Sequence, residues 1–177
     1  MDKYQIAVIV GSLRRESFNR KLASAMAKLA PPDFSFSQLE IGDLPLYNQD
    51  NDANPAVCVK RLKSEISASQ GLLFVTPEYN RSISGVLKNA IDHASRPYGQ
   101  SAWAGKPAGV IGASVVLSAR RWRNNICAIF WPTSMCPRSA NPKHLYTRKR
   151  GCLMRLVTSV KATKNSCKAG WIDTWPE

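Results

Sequence analysis

The chain has 177 residues, 25 of them basic and 12 acidic, which gives a net charge of +13. This length predicts a single α/β domain, and no apolar run is long enough to span a membrane. The five cysteines include no C-x-x-C pair, so neither a disulfide framework nor a zinc site is indicated. The N-terminus shows no signal peptide, and we expect a cytoplasmic protein.

The positive charge is concentrated in the second part of the chain. Residues 1–113 contain 13 basic and 10 acidic residues, whereas residues 114–177 contain 12 basic and only 2 acidic residues. Four of the five cysteines also lie after residue 113. We therefore divide the chain into a core, residues 1–113, and an atypical basic segment, residues 114–177.

The chain begins with a strand, a polar loop and a helix. Gln5–Val10 is continuously apolar and predicts a buried parallel strand, and Lys21–Ala30 has helical periodicity. Between them, Gly11–Asn19 supplies hydroxyl, amide and guanidinium groups beside a helix N-terminus, which favours a phosphate. The loop matches neither the G-x-G-x-x-G pattern nor a P-loop, so it indicates a mononucleotide phosphate. The alternative is a solvated turn capped by Ser17.

Three further strands and two further helices follow in alternation. The strands are an edge strand with Phe34 and Phe36, Gly71–Thr76 and Pro107–Ala113; one helix runs from Asn54, as N-cap, to about Ser69, and the next begins at Ser84 or Gly85. This order predicts a parallel sheet with ligands beyond the carboxyl ends of its strands. Three such ends carry unusual loops: Gly11–Asn19, Thr76–Ser82 and Gly112–Ser114.

The second loop offers groups that suit a flat polar ring. Tyr79 can stack on a ring or meet its edge, and backbone groups around Glu78 and Asn80 can hydrogen-bond to it. The alternative is an ordinary turn before a helix, although turn preferences do not explain the Glu-Tyr pair.

Two motifs carry a family resemblance. Gly11-Ser12-Leu13-Arg14-x-x-Ser17-x-Asn19 and Thr76-Pro77-Glu78-Tyr79-Asn80-x-Ser82 resemble the NADPH-dependent FMN reductase family, in its chromate and quinone reductase branch. The resemblance covers residues 4–113 and returns at residues 170–175. It implies a flavodoxin-like, doubly wound α/β fold with strand order 2-1-3-4-5, and FMN bound between the subunits of a homodimer or homotetramer.

The resemblance also implies roles for individual residues. The FMN phosphate would be held by Ser12, Arg14, Ser17 and Asn19, and the ribityl chain and isoalloxazine by Pro77, Glu78, Tyr79 and Asn80. Ser82 and Ser114, in the second and third loops, complete the expected cofactor-binding set. NADPH or NADH would reduce the flavin, and quinones, flavins, azo compounds or chromate-like oxyanions would accept the electrons. No metal ligand and no catalytic side chain is expected, because the redox chemistry belongs to the flavin.

Two positions depart from the family pattern. Ser84 stands where the family usually has proline, and we expect it to cap the following helix instead. His93 stands where the family usually has tryptophan. We expect His93 to be a surface or interface residue, with a ligand contact as the alternative.

The resemblance stops after residue 113, which leaves the fifth strand and last helix in doubt. Codons can be chosen for two stretches of residues 114–168 so that one common frame shift gives family-like sequences. We therefore hypothesise that residues 114–168 are translated out of frame. The alternative to an active reductase is then a non-catalytic, frame-shifted product. A nucleic-acid-binding tail would use Arg120, Arg121, Arg123, Arg148, Lys149 and Arg150 with Trp122, Trp131 and Tyr146, but no binding-module pattern accompanies them. The spacings of Cys127, Cys136, His144 and Cys152 fit no zinc pattern.

Overall fold

A four-stranded parallel sheet forms the centre of the computed structural model, which describes residues 3–113. The strands are β1 (Tyr4–Val10), β2 (Phe34–Gln38), β3 (Gly71–Val75) and β4 (Ala108–Ile111). Their order is β2-β1-β3-β4. This confirms the predicted flavodoxin-like order for its first four strands, whereas the fifth strand and last helix fall outside the described residues.

Three helices connect the strands: α1 (Phe18–Leu29), α2 (Val57–Ala68) and α3 (Gly85–Ser95). A short 3₁₀ helix at Gln49–Asn51 precedes α2. Among residues 3–113 there is no helix with the length and apolar character needed to cross a membrane.

The first residues of the three helices can be compared with the predicted helix starts and caps. Helix α1 begins three residues before the predicted Lys21, because the Ser17 hydroxyl accepts a hydrogen bond from the Arg20 N–H at 3.3 Å. Ser84 caps α3 in the same way, with the Leu87 N–H as donor at 3.4 Å, as predicted. The predicted cap of α2 is wrong. Asn54 instead donates its N–H to Asn51 O at 3.1 Å, in the turn after the 3₁₀ helix, and α2 starts without a side-chain cap.

Each face of the sheet has its own apolar core. Ala7 and Ile9 of β1 point to the face covered by α2 and α3, where Leu62 and Leu87 are fully buried. Val8 and Val10 point to the opposite face and pack with Ala23 of α1. All five residues of β3 are buried, since the strand lies inside the sheet with helices on both sides.

His93 is buried, so the expectation of a surface histidine is wrong. Its side chain lies under the segment after β2, where its Nε2 is 2.9 Å from Pro45 O. The ring also meets Tyr47 edge-on, with 5.4 Å between the ring centroids. A carbonyl oxygen accepts only, and Nε2 is therefore the nitrogen that carries the hydrogen.

Candidate cofactor site

Three loops lie side by side at the carboxyl edge of the sheet. They follow β1, β3 and β4, and hydrogen bonds extend the strand pairing into them: the Gly11 N–H donates to Val75 O at 2.8 Å, and the Thr76 N–H donates to Ile111 O at 3.0 Å. The predicted convergence of the three loops is thus present as far as Ala113. Ser114 lies outside the described residues.

Gly11 brings the first loop against the start of α3. A Cβ at this position would lie 2.8 Å from the Ser84 hydroxyl oxygen and 2.9 Å from that of Thr76. Both distances are shorter than any normal Cβ contact, and both neighbours are buried. Only glycine therefore allows the first and second loops to approach this closely.

The first loop contains two polar groups that other described residues leave unused. Ser12 is buried, and its hydroxyl has no hydrogen-bond partner within residues 3–113. Arg14 is exposed, and its guanidinium carbon lies 6.0 Å from the centroid of the Phe18 ring. Within the same residues Arg14 has neither an ion pair nor a hydrogen bond. A hydroxyl and a guanidinium beside a helix N-terminus suit a phosphate.

Ser17 and Asn19 already have structural contacts. Ser17 is the cap of α1. The Asn19 amide oxygen accepts from the Ala113 N–H at 2.8 Å, and its amide nitrogen donates to Ala113 O at 3.3 Å. Asn19 thereby joins the first loop to the third. The predicted phosphate contacts of both residues stay predictions.

The second loop is a tight turn. Tyr79 and Ser82 exchange two backbone hydrogen bonds of 2.9 Å, and the two residues between them, Asn80 and Arg81, have φ values of 51° and 64°. Two successive positive φ values define a type I′ turn, in which asparagine is common and arginine is not. The turn leaves the Tyr79 side chain 56% exposed at the edge of the sheet. Arg81 pairs loosely with Glu78, with 3.9 Å between the guanidinium nitrogen and the carboxylate oxygen.

Thr76 belongs to the predicted strand, the second loop and the family motif, but sequence reasoning gave its side chain no role. Its side chain is fully buried, and its hydroxyl donates to Pro77 O at 2.9 Å. This bond fixes the backbone where β3 gives way to the second loop. The available signal was a hydroxyl residue at the end of an otherwise apolar strand.

The charges around the first loop favour an anion. Lys21 lies 2.6 Å from the Glu16 carboxylate, and this contact lowers the pKa of Glu16 below its ordinary value. Glu16 is thus neutralised by its own partner, while Arg14 and Arg15 add two exposed positive charges. With the buried Ser12 hydroxyl and the exposed Tyr79 ring, the residues present fit a phosphate joined to a flat ring.

A sequence profile of the NADPH-dependent FMN reductase family matches residues 4–136. The chain belongs to this family. The predicted resemblance is confirmed. The match continues past residue 113, where the motif-based resemblance ended. The comparisons do not support the alternative of a non-catalytic product, while the frame-shift hypothesis concerns residues outside the described part.

Individual relatives agree with the family match. The chain is 60% identical over 111 residues to a 2-hydroxy-1,4-benzoquinone reductase of Burkholderia sp, a match covering 63% of this chain and 61% of the relative. It is 59% identical over 112 residues to a quinone reductase of Pseudomonas putida, covering 63% and 60% of the two chains. The chain thus spans about three fifths of the length of these curated relatives.

One solved structure supports the fold. It is FerB, a flavoenzyme NAD(P)H:(acceptor) oxidoreductase from Paracoccus denitrificans, with a TM-score of 0.64 and 44% sequence identity. The likeness covers 77% of this chain and 81% of FerB. Together with the observed strand order, it confirms the flavodoxin-like α/β fold.

Proposed function

We propose that this chain is an NAD(P)H-dependent oxidoreductase that binds FMN at the carboxyl edge of its sheet and reduces quinones. The observation that carries the proposal is the first loop, where neither the Ser12 hydroxyl nor the Arg14 guanidinium makes a hydrogen bond or an ion pair among residues 3–113. Family membership names the nucleotide that such a loop would hold. The relatives from Burkholderia sp and Pseudomonas putida, both named for quinone reduction, support the class of acceptor.

The protein would contribute binding, orientation and electrostatics. Bound FMN supplies the redox chemistry, by taking a hydride from NAD(P)H and passing electrons to the acceptor. Arg14 and Ser12 would hold the phosphate, with the α1 N-terminus adding backbone N–H groups. The second loop, with Pro77, Glu78 and Asn80, would line the ribityl chain and the flat ring.

Tyr79 and Arg81 are proposed contacts for the acceptor. The Tyr79 ring is exposed beside the turn, and the Arg81 side chain is 58% exposed and positively charged. A cation at this point suits an anionic acceptor, such as an ionised hydroxyquinone or a chromate-like oxyanion. The proposal also includes free flavins and azo compounds as electron acceptors. It further includes assembly into a homodimer or homotetramer and a cytoplasmic location.

An FMN titration of the full 177-residue chain, followed by quenching of flavin fluorescence, tests the proposal. Saturable binding is expected, and Arg14→Gln should weaken it. A second assay follows oxidation of NADPH or NADH with 2-hydroxy-1,4-benzoquinone and chromate as acceptors. The proposal fails if the folded chain does not bind FMN. Binding without NAD(P)H oxidation would remove the enzymatic part and leave a flavin-binding protein.

A further inference from the structure

We infer that Asn19 is a positioning residue that holds the third loop against the first, and that its side chain is not a ligand of the phosphate. This inference deepens the proposed function, on which its ligand-binding part rests. It replaces one of the four phosphate contacts that the family motif predicts.

Both ends of the Asn19 amide group are engaged by the backbone of one residue, Ala113. The amide oxygen accepts from the Ala113 N–H at 2.8 Å, and the amide nitrogen donates to Ala113 O at 3.3 Å. The side chain is buried, with the whole residue only 4% exposed. An amide oxygen cannot bind a phosphate oxygen, because both are acceptors. One amide hydrogen is left, whereas the side chains of Ser12 and Arg14 make no hydrogen bond with other described residues.

The Asn19 contact joins the ends of two strands that are not neighbours in the sheet. Strands β1 and β4 are not neighbours, since β3 lies between them. Their ends are thus separated by two strand spacings, about 10 Å in total. The two Asn19 bonds are the only described hydrogen bonds that join residues 11–19 to residues 108–113. Asn19 therefore sets the distance between the two outer loops of the site, over the end of β3.

The positioning role and a phosphate-binding role of Asn19 predict different effects of its loss. If Asn19 positions the loops, its loss disturbs the site for any ligand that lies between them. If Asn19 binds the phosphate, its loss affects only ligands that carry a phosphate. Riboflavin has the ring and ribityl chain of FMN but no phosphate, so the two flavins separate the two roles.

The experiment compares dissociation constants of FMN and riboflavin for the full chain, Asn19→Ala and Arg14→Gln. We expect Asn19→Ala to weaken both flavins by the same factor, about tenfold. Arg14→Gln should weaken FMN alone. Ser24→Ala is the matched control in α1, since its hydroxyl contacts only the Arg20 carbonyl oxygen among the described residues and is exposed. Loss of FMN affinity with unchanged riboflavin affinity in Asn19→Ala would overturn the inference.

A second measurement needs no flavin. Amide hydrogen exchange at Ala113, followed by NMR in the cofactor-free chain, should be about tenfold faster in Asn19→Ala and unchanged in Ser24→Ala. Should Asn19→Ala fail to fold, Asn19→Asp serves instead, because its carboxylate still accepts from the Ala113 N–H but cannot donate to Ala113 O. Exchange that stays slow after loss of both bonds contradicts the inference. If the wild-type chain binds neither flavin, the proposed function fails, while exchange still decides whether Asn19 joins the two loops.

Discussion

Two asparagines make the same kind of contact in two different parts of this molecule. Asn19 at the start of α1 bridges the Ala113 N–H and carbonyl, at the edge of the sheet that carries the candidate site. Asn89 within α3 accepts from the Tyr47 N–H at 2.8 Å and donates to Pro45 O at 2.8 Å. Both side chains hold a distant stretch of backbone against a helix. Only Asn19 joins two loops that would surround a ligand.

The comparison separates structural polar groups from those available to a ligand. In the segment at Pro45–Tyr47, Asn89 is fully engaged, and His93 adds a second donor to Pro45 O at 2.9 Å. In the first loop, the side chains of Ser12 and Arg14 make no hydrogen bond or ion pair among residues 3–113, although they lie beside a helix N-terminus. Buried polar groups are normally paired, so the buried Ser12 marks the candidate site, and the exposed Arg14 adds a positive charge beside it.

The largest expected effect comes from filling the space at Gly11, which would break the contact between the first and second loops. A valine side chain begins with a Cβ 2.8 Å from the Ser84 oxygen and 2.9 Å from the Thr76 oxygen. We expect Gly11→Val to lower the free energy of unfolding by about 3 kcal/mol. FMN affinity should fall by about a hundredfold. Chemical denaturation and FMN titration measure the two effects.

Gly85→Ala is the matched control for Gly11→Val. A Cβ at Gly85 meets nothing within 4 Å, and the residue begins α3 with an ordinary backbone conformation. Alanine should therefore leave stability unchanged or raise it by up to about 1 kcal/mol. If Gly11→Val were as stable as Gly85→Ala, the close approach of the first loop to α3 would be wrong.

Arg14→Gln should separate binding from stability in the first loop. Arg14 is exposed and makes no ion pair among residues 3–113, so its loss should leave the melting temperature unchanged. Its charge-assisted contact with a phosphate is worth about 1.5–3 kcal/mol, which corresponds to a loss of about 10- to 100-fold in FMN affinity. Calorimetric titration and a thermal melt on the same protein test both parts. An unchanged FMN affinity would exclude Arg14 as the phosphate cation.

Asn89→Ala should show the opposite behaviour. The change leaves the Tyr47 N–H without its partner and removes one of two donors to Pro45 O, at a cost of about 1–2 kcal/mol. FMN affinity should change by less than about twofold, because this contact lies on α3 and not between the strand-end loops. A tenfold loss of FMN affinity would instead place the segment at Pro45–Tyr47 in the cofactor site.

Local patterns predicted the elements well because they depend on neighbouring residues. The apolar run Gln5–Val10 and the Ser84 cap of α3 appear in the structure almost as predicted, whereas α1 begins three residues before the predicted Lys21. The prediction that Asn54 caps α2 was wrong because of the residues that precede it. Asn54 lies in the turn after the 3₁₀ helix at Gln49–Asn51, and α2 begins only at Val57, three residues further along the chain.

Contacts between distant residues could not be predicted from the sequence. Asn19 and Ala113 are 94 residues apart, and no local pattern in the first loop distinguishes a loop-joining amide from a phosphate contact. His93 was expected at the surface or at an interface, because periodicity does not show that the Pro45–Tyr47 segment returns to cover α3. The site motif thus predicted a candidate binding loop, while the division of its residues between proposed ligand contacts and structural support required the fold.

The smallest effect should come from Glu16, the acidic residue of the first loop. Its carboxylate is 2.6 Å from the Lys21 ammonium, but both side chains are more than 60% exposed, and water screens the pair. Because Lys21 lowers the pKa of Glu16 in the folded state, the pair stabilises the fold above the ordinary pKa of 4.5 and ceases to do so as the pH falls through the lowered value.

Glu16→Gln should therefore melt slightly below the wild-type chain at pH 7 and together with it at pH 2. High salt should remove the difference at pH 7, and FMN affinity should change by less than about twofold, because Lys21 already neutralises the carboxylate. A large loss of FMN affinity would show that Glu16 belongs to the binding loop proper, in the same class as Arg14.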